Sequence, residues 1–170
     1  MDKQEYRDFL DEIKRNYDNG NYEQVVMYAN EINISKLKDI RTLELISDSY
    51  DRIGRYDIAR EVLKEVYDRL GGSRQLASHM CELCIKCGDL DTAIDYYEAF
   101  RQMAPRDSYQ YLLKYQIGKA GGVPIKELIK VLETYRQYEK DEKWEYELAR
   151  LYHEAGRVDE CVNLCDDIVI

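Results

Sequence analysis

The chain has 170 residues, of which 45% are hydrophobic and 35% are charged. This composition is typical of a soluble globular protein and excludes the disordered class. The net charge of −9 has the wrong sign for neutralising phosphates, so we expect no nucleic-acid partner. No apolar run is long enough to span a membrane, and the charged N-terminus differs from a secretory signal. We therefore expect a cytoplasmic protein with no membrane partner.

Five glycines recur at intervals of 34 residues along the chain: Gly20, Gly54, Gly88, Gly122 and Gly156. Similar residues follow each glycine, as in GNYEQV, GRYDIA, GDLDTA and GRVDEC. A small residue stands five positions after most of them, namely Val25, Ala59, Ala93 and Cys161. An internal period of this length is the signature of a repeat protein.

Each repeat is predicted to be a helical hairpin, because apolar residues recur at helical spacing on both sides of the glycine. The first unit shows this with Phe9, Leu10 and Ile13, and the glycine marks the turn between two helices. Ser35, Ser73 and Asp141 are expected to cap first helices. The predicted units fill a single array over residues 1–170, with boundaries near 6–35, 36–72, 73–106, 107–140 and 141–170.

The fourth unit departs most from the pattern. Gly118 stands where a tyrosine is expected, and Glu127 stands where a small residue is expected. Pro124 is expected at the first position of the second helix, where proline costs no hydrogen bond. We predict a locally altered hairpin in this unit.

The third unit carries the pattern best, with Ala77, Met80, Cys81 and Cys84 before Gly88, and Leu90, Ala93, Tyr97, Phe100 and Pro105 after it. This arrangement resembles the tetratricopeptide repeat (TPR), a 34-residue helix-turn-helix unit. The resemblance covers the whole chain. It implies an all-α solenoid of about five TPR-like repeats that form a right-handed superhelix.

The cysteines and histidines give no catalytic or metal site. Cys81, Cys84 and Cys87 have the CxxCxxC spacing of part of an iron–sulfur ligand run, but the fourth cysteine is missing. His79 and His153 have no neighbouring nucleophile in a recognisable triad, and phosphate-loop and dinucleotide motifs are absent. We predict a protein that is not an enzyme and needs no cofactor.

In proteins with TPR-like arrays, inward positions of the first helices line a groove that contacts ligands. Carrying that register over places the candidate peptide-binding residues at Glu44, Asp48, Ser78, Glu82, Tyr109, Leu112, Gln116, Tyr146 and Arg150. The carboxylates among the earlier positions predict an acidic stretch that attracts a basic and apolar peptide. Replacing Glu44 and Asp48 with lysine is expected to weaken such a ligand without disturbing the fold.

Two functions therefore remain open. The first is a non-catalytic scaffold that binds a peptide or protein segment, as in the interaction half of a bacterial-type regulator. The second is a self-association module, in which the apolar hairpin at the C-terminal end, DECVNLCDDIVI, pairs to form a homodimer. The last unit looks uncapped, and we expect it either to continue in a longer protein or to pair with another molecule.

Overall fold

A computed structural model of the chain describes residues 1–169, and Ile170 lies outside the described residues. These residues form ten α-helices, one short 3₁₀ turn and no strand. The chain divides after Asp89 into two compact units. No helix in residues 1–169 is long and apolar enough to cross a membrane.

The first unit contains five α-helices. They are α1 (Lys3–Asp18), α2 (Tyr22–Ala29), α3 (Ile40–Arg52), α4 (Tyr56–Leu70) and α5 (Arg74–Lys86). A 3₁₀ turn (Ile34–Lys36) lies between α2 and α3. The core of this unit is aliphatic, and Leu43, Ile46, Val66 and Ala77 are fully buried in it. The apolar stripes predicted from helical spacing are therefore the faces that pack together.

The second unit contains the other five helices. They are α6 (Leu90–Met103), α7 (Tyr109–Ala120), α8 (Ile125–Arg136), α9 (Glu142–Glu154) and α10 (Val158–Val169). Leu112, Ile129, Leu132 and Leu148 form the centre of its core. Glu145 is the one buried carboxylate in residues 1–169, and Arg136 Nε binds it at 3.1 Å.

The repeated glycine ends every first helix in the same way. All five repeat glycines have a positive φ, between 73° and 81°, a backbone conformation that residues with a Cβ rarely adopt. The backbone N–H that follows each glycine donates to the carbonyl five residues earlier, as from Arg55 to Tyr50 at 2.8 Å and from Arg157 to Tyr152 at 2.8 Å. This bond satisfies a carbonyl that the helix end would leave free. The four predicted hairpins whose helices lie within one unit are confirmed: α1–α2, α3–α4, α7–α8 and α9–α10.

Two local predictions need correction. Asp39, not Ser35, caps α3, because its carboxylate accepts a hydrogen bond from the Thr42 N–H at 2.7 Å while Ser35 lies within the 3₁₀ turn. Helix α8 begins at Ile125, and Pro124 is its extended N-cap residue with ψ of 142°. The turn of the fourth hairpin is thus one residue longer than the other four.

The longer turn explains the unusual residues of the fourth hairpin. Glu127, at the expected small position, is half-exposed, and the next residue, Leu128, is buried instead. Leu128 fits there because Gly118 has no side chain: a Cβ at Gly118 would lie 3.1 Å from Leu128 Cδ2. The fourth hairpin thus has a small residue, Gly118, on its first helix and a large one, Leu128, on its second. In the second hairpin the sizes are reversed, with Tyr50 on the first helix and Ala59 on the second.

Candidate functional site

A groove of about 320 Å³ runs across the first helices α1, α3 and α5 of the first unit. Its charged lining residues are Arg41, Glu44, Asp48, Asp51, Glu82 and Lys86. Leu45, Leu63, Leu76 and Leu83 form the floor of the same groove, where they are 5–6% exposed. We call this surface the first-helix groove. Glu44, Asp48 and Glu82 are among the candidate residues predicted from the sequence, whereas the four leucines are not.

Asp48 is held by groups from two helices. The Tyr17 hydroxyl on α1 donates a hydrogen bond to Asp48 Oδ2 at 2.6 Å, and Arg52 Nε binds the same oxygen at 2.6 Å. The hydrogen bond to Asp48 raises the pKa of Tyr17 above its ordinary value, so the hydroxyl remains a donor. Asp48 therefore lines the groove, and its hydrogen bond with Tyr17 connects α3 to α1.

Two of the other three lining carboxylates also have a nearby cation. Lys86 Nζ on α5 lies 2.7 Å from Asp51 Oδ1 on α3, and it lies 5.1 Å from the centre of the Tyr56 ring. Arg41 approaches Glu44 at 3.6 Å, a longer contact. The groove is thus less acidic than the sequence predicts, although four carboxylates still face two lining cations.

The predicted residues of the first unit do not all reach this groove. Glu44, Asp48 and Glu82 line it together with His79. Ser78 is only 7% exposed, and its hydroxyl donates to the Gln75 carbonyl at 2.8 Å. Ser78 therefore presents little surface to a ligand, because it lies on the side of α5 that packs inwards.

In the second unit the predicted residues occupy different environments. Tyr146 is 51% exposed, and Tyr109 and Gln116 are half-buried. Leu112 is 3% exposed and belongs to the core, so it is not available for ligand contact. The Arg150 side chain is exposed and binds acidic neighbours on its own helix.

Glu147 is the centre of the charge network around Arg150. Arg150 Nη2 lies 2.6 Å from Glu147 Oε1 and Nε lies 3.0 Å from Oε2, so the pair is bidentate. The Tyr115 hydroxyl on α7 also donates to Glu147, and Lys119 approaches it at 3.4 Å. These contacts, led by the hydrogen bond from Arg150, lower the pKa of Glu147 to about 2. The carboxylate remains charged down to strongly acidic pH.

The same arrangement thus occurs in both units. In each unit, a tyrosine on the first helix of one repeat donates a hydrogen bond to a carboxylate on the first helix of the next repeat. An arginine on the same helix as the carboxylate also binds it. We did not predict Tyr17, Arg52, Tyr115 or Glu147. The excess of 16 tyrosines over two phenylalanines was the available signal, because a hydroxyl is useful only where it meets an acceptor.

The cysteines are free thiols in residues 1–169. Cys81 and Cys84 are buried, and burial raises the pKa of Cys81 to about 12. Within the described part of the chain, no group of three or more His, Cys, Asp or Glu side chains is arranged to hold a metal ion. Cys81 and Cys84 belong to the packed face of α5, and Cys87 is its half-buried C-cap residue.

A second cavity, of about 480 Å³, lies between α7 and α8. Tyr111, Ile117, Gly118, Val123, Leu128 and Val131 form its apolar lining. Lys114 lies on the α7 wall, and Lys130 lies on the α8 wall together with Glu127 and Thr134. We call this cavity the fourth-hairpin pocket. It coincides with the hairpin that departs from the repeat pattern.

The last helix leaves apolar side chains uncovered. Val158, Val162 and Val169 are 55%, 52% and 82% exposed. Their spacing places them on one side of α10, while Leu164 on another side is buried in the core. We call the three residues the valine stripe.

No protein-family model matches the chain, and no curated protein matches its sequence. Solved structures do match it, over nearly its whole length. MamA from Desulfovibrio magneticus RS-1 is 14% identical, with a TM-score of 0.75 over 96% of this chain and 93% of that one. A putative kinesin light chain with TPR-like repeats from Podospora anserina is 15% identical, with a TM-score of 0.63 over 95% of this chain and 92% of that one.

A third matching structure is that of a TPR protein. It is the C-terminal part of a TPR repeat-containing protein from Cytophaga hutchinsonii, 17% identical, with a TM-score of 0.71 over 94% of this chain and 63% of that one. The chain has the tetratricopeptide-repeat fold. The predicted all-α solenoid of TPR-like repeats is confirmed. At these identities the TPR fold is what the likeness establishes, and function depends on the surfaces described above.

Proposed function

We propose that the protein is a non-catalytic scaffold whose first-helix groove binds a peptide or protein segment with basic and apolar residues. The observation that carries this proposal is the lining of the groove, in which four carboxylates and two cations surround leucine side chains. Basic side chains of a ligand would meet the carboxylates, and its apolar side chains would lie over the floor that the leucines form.

Glu44 and Asp48 are the residues on which we expect such a ligand to depend most. The Glu44 side chain is 35% exposed and its ion pair with Arg41 is long, at 3.6 Å. The Asp48 side chain is 38% exposed although it accepts hydrogen bonds from Tyr17 and Arg52. A lysine at position 48 would remove these bonds and disturb the packing of α1 on α3, so the isosteric Asn is the better substitution.

The test uses an array of synthetic peptides in which basic, acidic and apolar residues vary around a leucine. We expect the chain to retain basic and apolar peptides, and the Glu44→Gln, Asp48→Asn double variant to bind them about tenfold more weakly. The matched control is Glu23→Gln with Glu61→Gln, which removes the same charge from exposed positions on α2 and α4. Equal binding by both double variants, or no preference for basic peptides, would contradict the proposal.

A second candidate function is self-association through α10. It is supported by the valine stripe, since exposed valines one and two turns apart on one helix face are unusual in a soluble monomer. Sedimentation velocity over a range of protein concentrations tests it. A constant monomeric mass would exclude this function and leave peptide binding in the first-helix groove untouched.

A further inference from the structure

We infer that copies of this chain associate head to tail, with the valine stripe of one copy seated in the fourth-hairpin pocket of the next. This inference rests on the second candidate function and states which surface receives α10. It is carried by two independent features of the second unit: an apolar, acidic helix face and an apolar pocket with lysines on its walls.

The charge beside the valine stripe disfavours symmetric pairing of α10 with α10. Asp159 and Asp166 are exposed and flank the stripe on one side, and neither forms an ion pair with a described residue. Helix α10 contains four acidic residues and no basic one. Two such helices packed against each other would bring like charges together, which costs binding free energy. The stripe is thus suited to a basic, apolar surface.

The fourth-hairpin pocket is such a surface. Residues 109–136 contain five basic and two acidic side chains, although the whole chain has a net charge of −9. Lys114 forms no ion pair with a described residue, and Lys130 has only an exposed contact with Glu127 at 3.3 Å. Lys114 is therefore available to a carboxylate that approaches from outside. Lys130 becomes available when its exposed contact with Glu127, which also lines the pocket, is exchanged.

The dimensions of the two surfaces agree. Along α7 the pocket extends from Tyr111 to Gly118, seven residues or about 10 Å at 1.5 Å per residue. Asp159 and Asp166 are also seven residues apart on α10, and Val162 lies between them. A helix laid along the pocket would place valines against Leu128 and Val131, while the side of α10 that carries Asp159 and Asp166 faces one of the two walls that carry a lysine.

The pocket exists because of the departure in the fourth repeat. Gly118 contributes no side chain to it, and the longer turn brings Val123 to its edge, where that residue is 40% exposed. Because the two complementary surfaces are different, a pair of copies keeps a free pocket at one end and a free valine stripe at the other. Such heterologous contacts form chains or rings, whereas symmetric contacts stop at a dimer.

Sedimentation velocity of the 170-residue chain and of two charge-reversed variants tests the inference. One variant carries Asp159→Lys and Asp166→Lys, and the other carries Lys114→Glu and Lys130→Glu. All four positions are exposed, and circular dichroism checks that each variant is folded. We expect the unmodified chain to associate beyond a dimer and each variant alone to associate about tenfold more weakly. Mixing the two variants is expected to restore association, because every contact between them joins opposite charges.

The other outcomes overturn the inference in distinguishable ways. If the Lys114→Glu, Lys130→Glu variant associates as well as the unmodified chain, the pocket is not the receiving surface and α10 pairs in another way. If the unmodified chain is monomeric at every concentration, both head-to-tail association and the second candidate function fail. None of the variants changes the first-helix groove, so peptide binding there is tested separately.

Discussion

The Tyr17 hydroxyl donates to Asp48 across a separation of 31 residues, and the bond joins the first helices of two successive repeats. Tyr115 and Glu147 make the corresponding contact between α7 and α9, 32 residues apart. In both pairs the carboxylate also accepts from an arginine on its own helix. Neighbouring repeats are therefore connected by polar contacts as well as by their apolar faces.

Removing the Tyr17 hydroxyl is expected to destabilise the fold. Tyr17→Phe leaves Asp48 with only Arg52, and the loss of one hydrogen bond to a charged group near the surface costs about 1 kcal/mol. Urea unfolding measures the change in the free energy of unfolding. Tyr28→Phe is the control, because the Tyr28 hydroxyl has no partner among the described residues. Equal stability of the two variants would show that the Tyr17 bond contributes nothing.

Glu147 should make the stability of the protein depend on pH in the acid range. Its pKa falls from an ordinary value of 4.5 to about 2 in the folded chain, so the folded chain binds fewer protons at Glu147 than the unfolded chain does at the same pH. Its contribution is complete above about pH 4.5 and is lost as the pH falls through about 2. We expect Glu147→Gln to be less stable than the unmodified chain by about 2 kcal/mol at pH 7, a difference that shrinks towards pH 2. Thermal unfolding at a series of pH values measures it, and a pH-independent difference would refute this assignment.

Gly118 and Leu128 should be energetically coupled. Gly118→Tyr introduces a ring where even a Cβ would be 3.1 Å from Leu128 Cδ2, so we expect it to destabilise the chain by about 1–3 kcal/mol. Leu128→Ala alone should cost about 2–5 kcal/mol, because Leu128 is buried. The double variant places a large residue opposite a small one, as Tyr50 and Ala59 are placed in the second hairpin, and should lose less than the sum. A double-mutant cycle from urea unfolding gives the coupling energy, and strict additivity would show that the two sites are independent.

Cys81 should be protected from thiol reagents in the folded protein. It has no exposed surface, and burial raises its pKa to about 12, so the reactive thiolate is scarce at neutral pH. Alkylation followed by peptide mass spectrometry should label the half-buried Cys87 and Cys161 before Cys81. In denaturant all of them should react at similar rates. Early labelling of Cys81 under native conditions would show that α5 opens locally.

Local patterns were sufficient to predict the repeats. The glycine period and the apolar residues three and four positions apart determine where each helix forms and where each hairpin turns, because backbone hydrogen bonds in a helix and its terminal turn involve residues at most five apart. The interval of 34 residues therefore indicated the TPR fold. Glu44, Asp48 and Glu82 line the first-helix groove, and their contact with a ligand stays a prediction.

The tertiary structure decided how these faces meet. Ser78 and Leu112 are at predicted groove positions but are buried, because the rotation of each helix depends on the side chains of its neighbours. One extra turn residue before Ile125 moved the buried position from Glu127 to Leu128, and the space left by Gly118 became part of a pocket. Likewise, the approach of Tyr17 to Asp48 depends on the distance between two packed helices, and a long-range distance of this kind is fixed by the packing of the whole core.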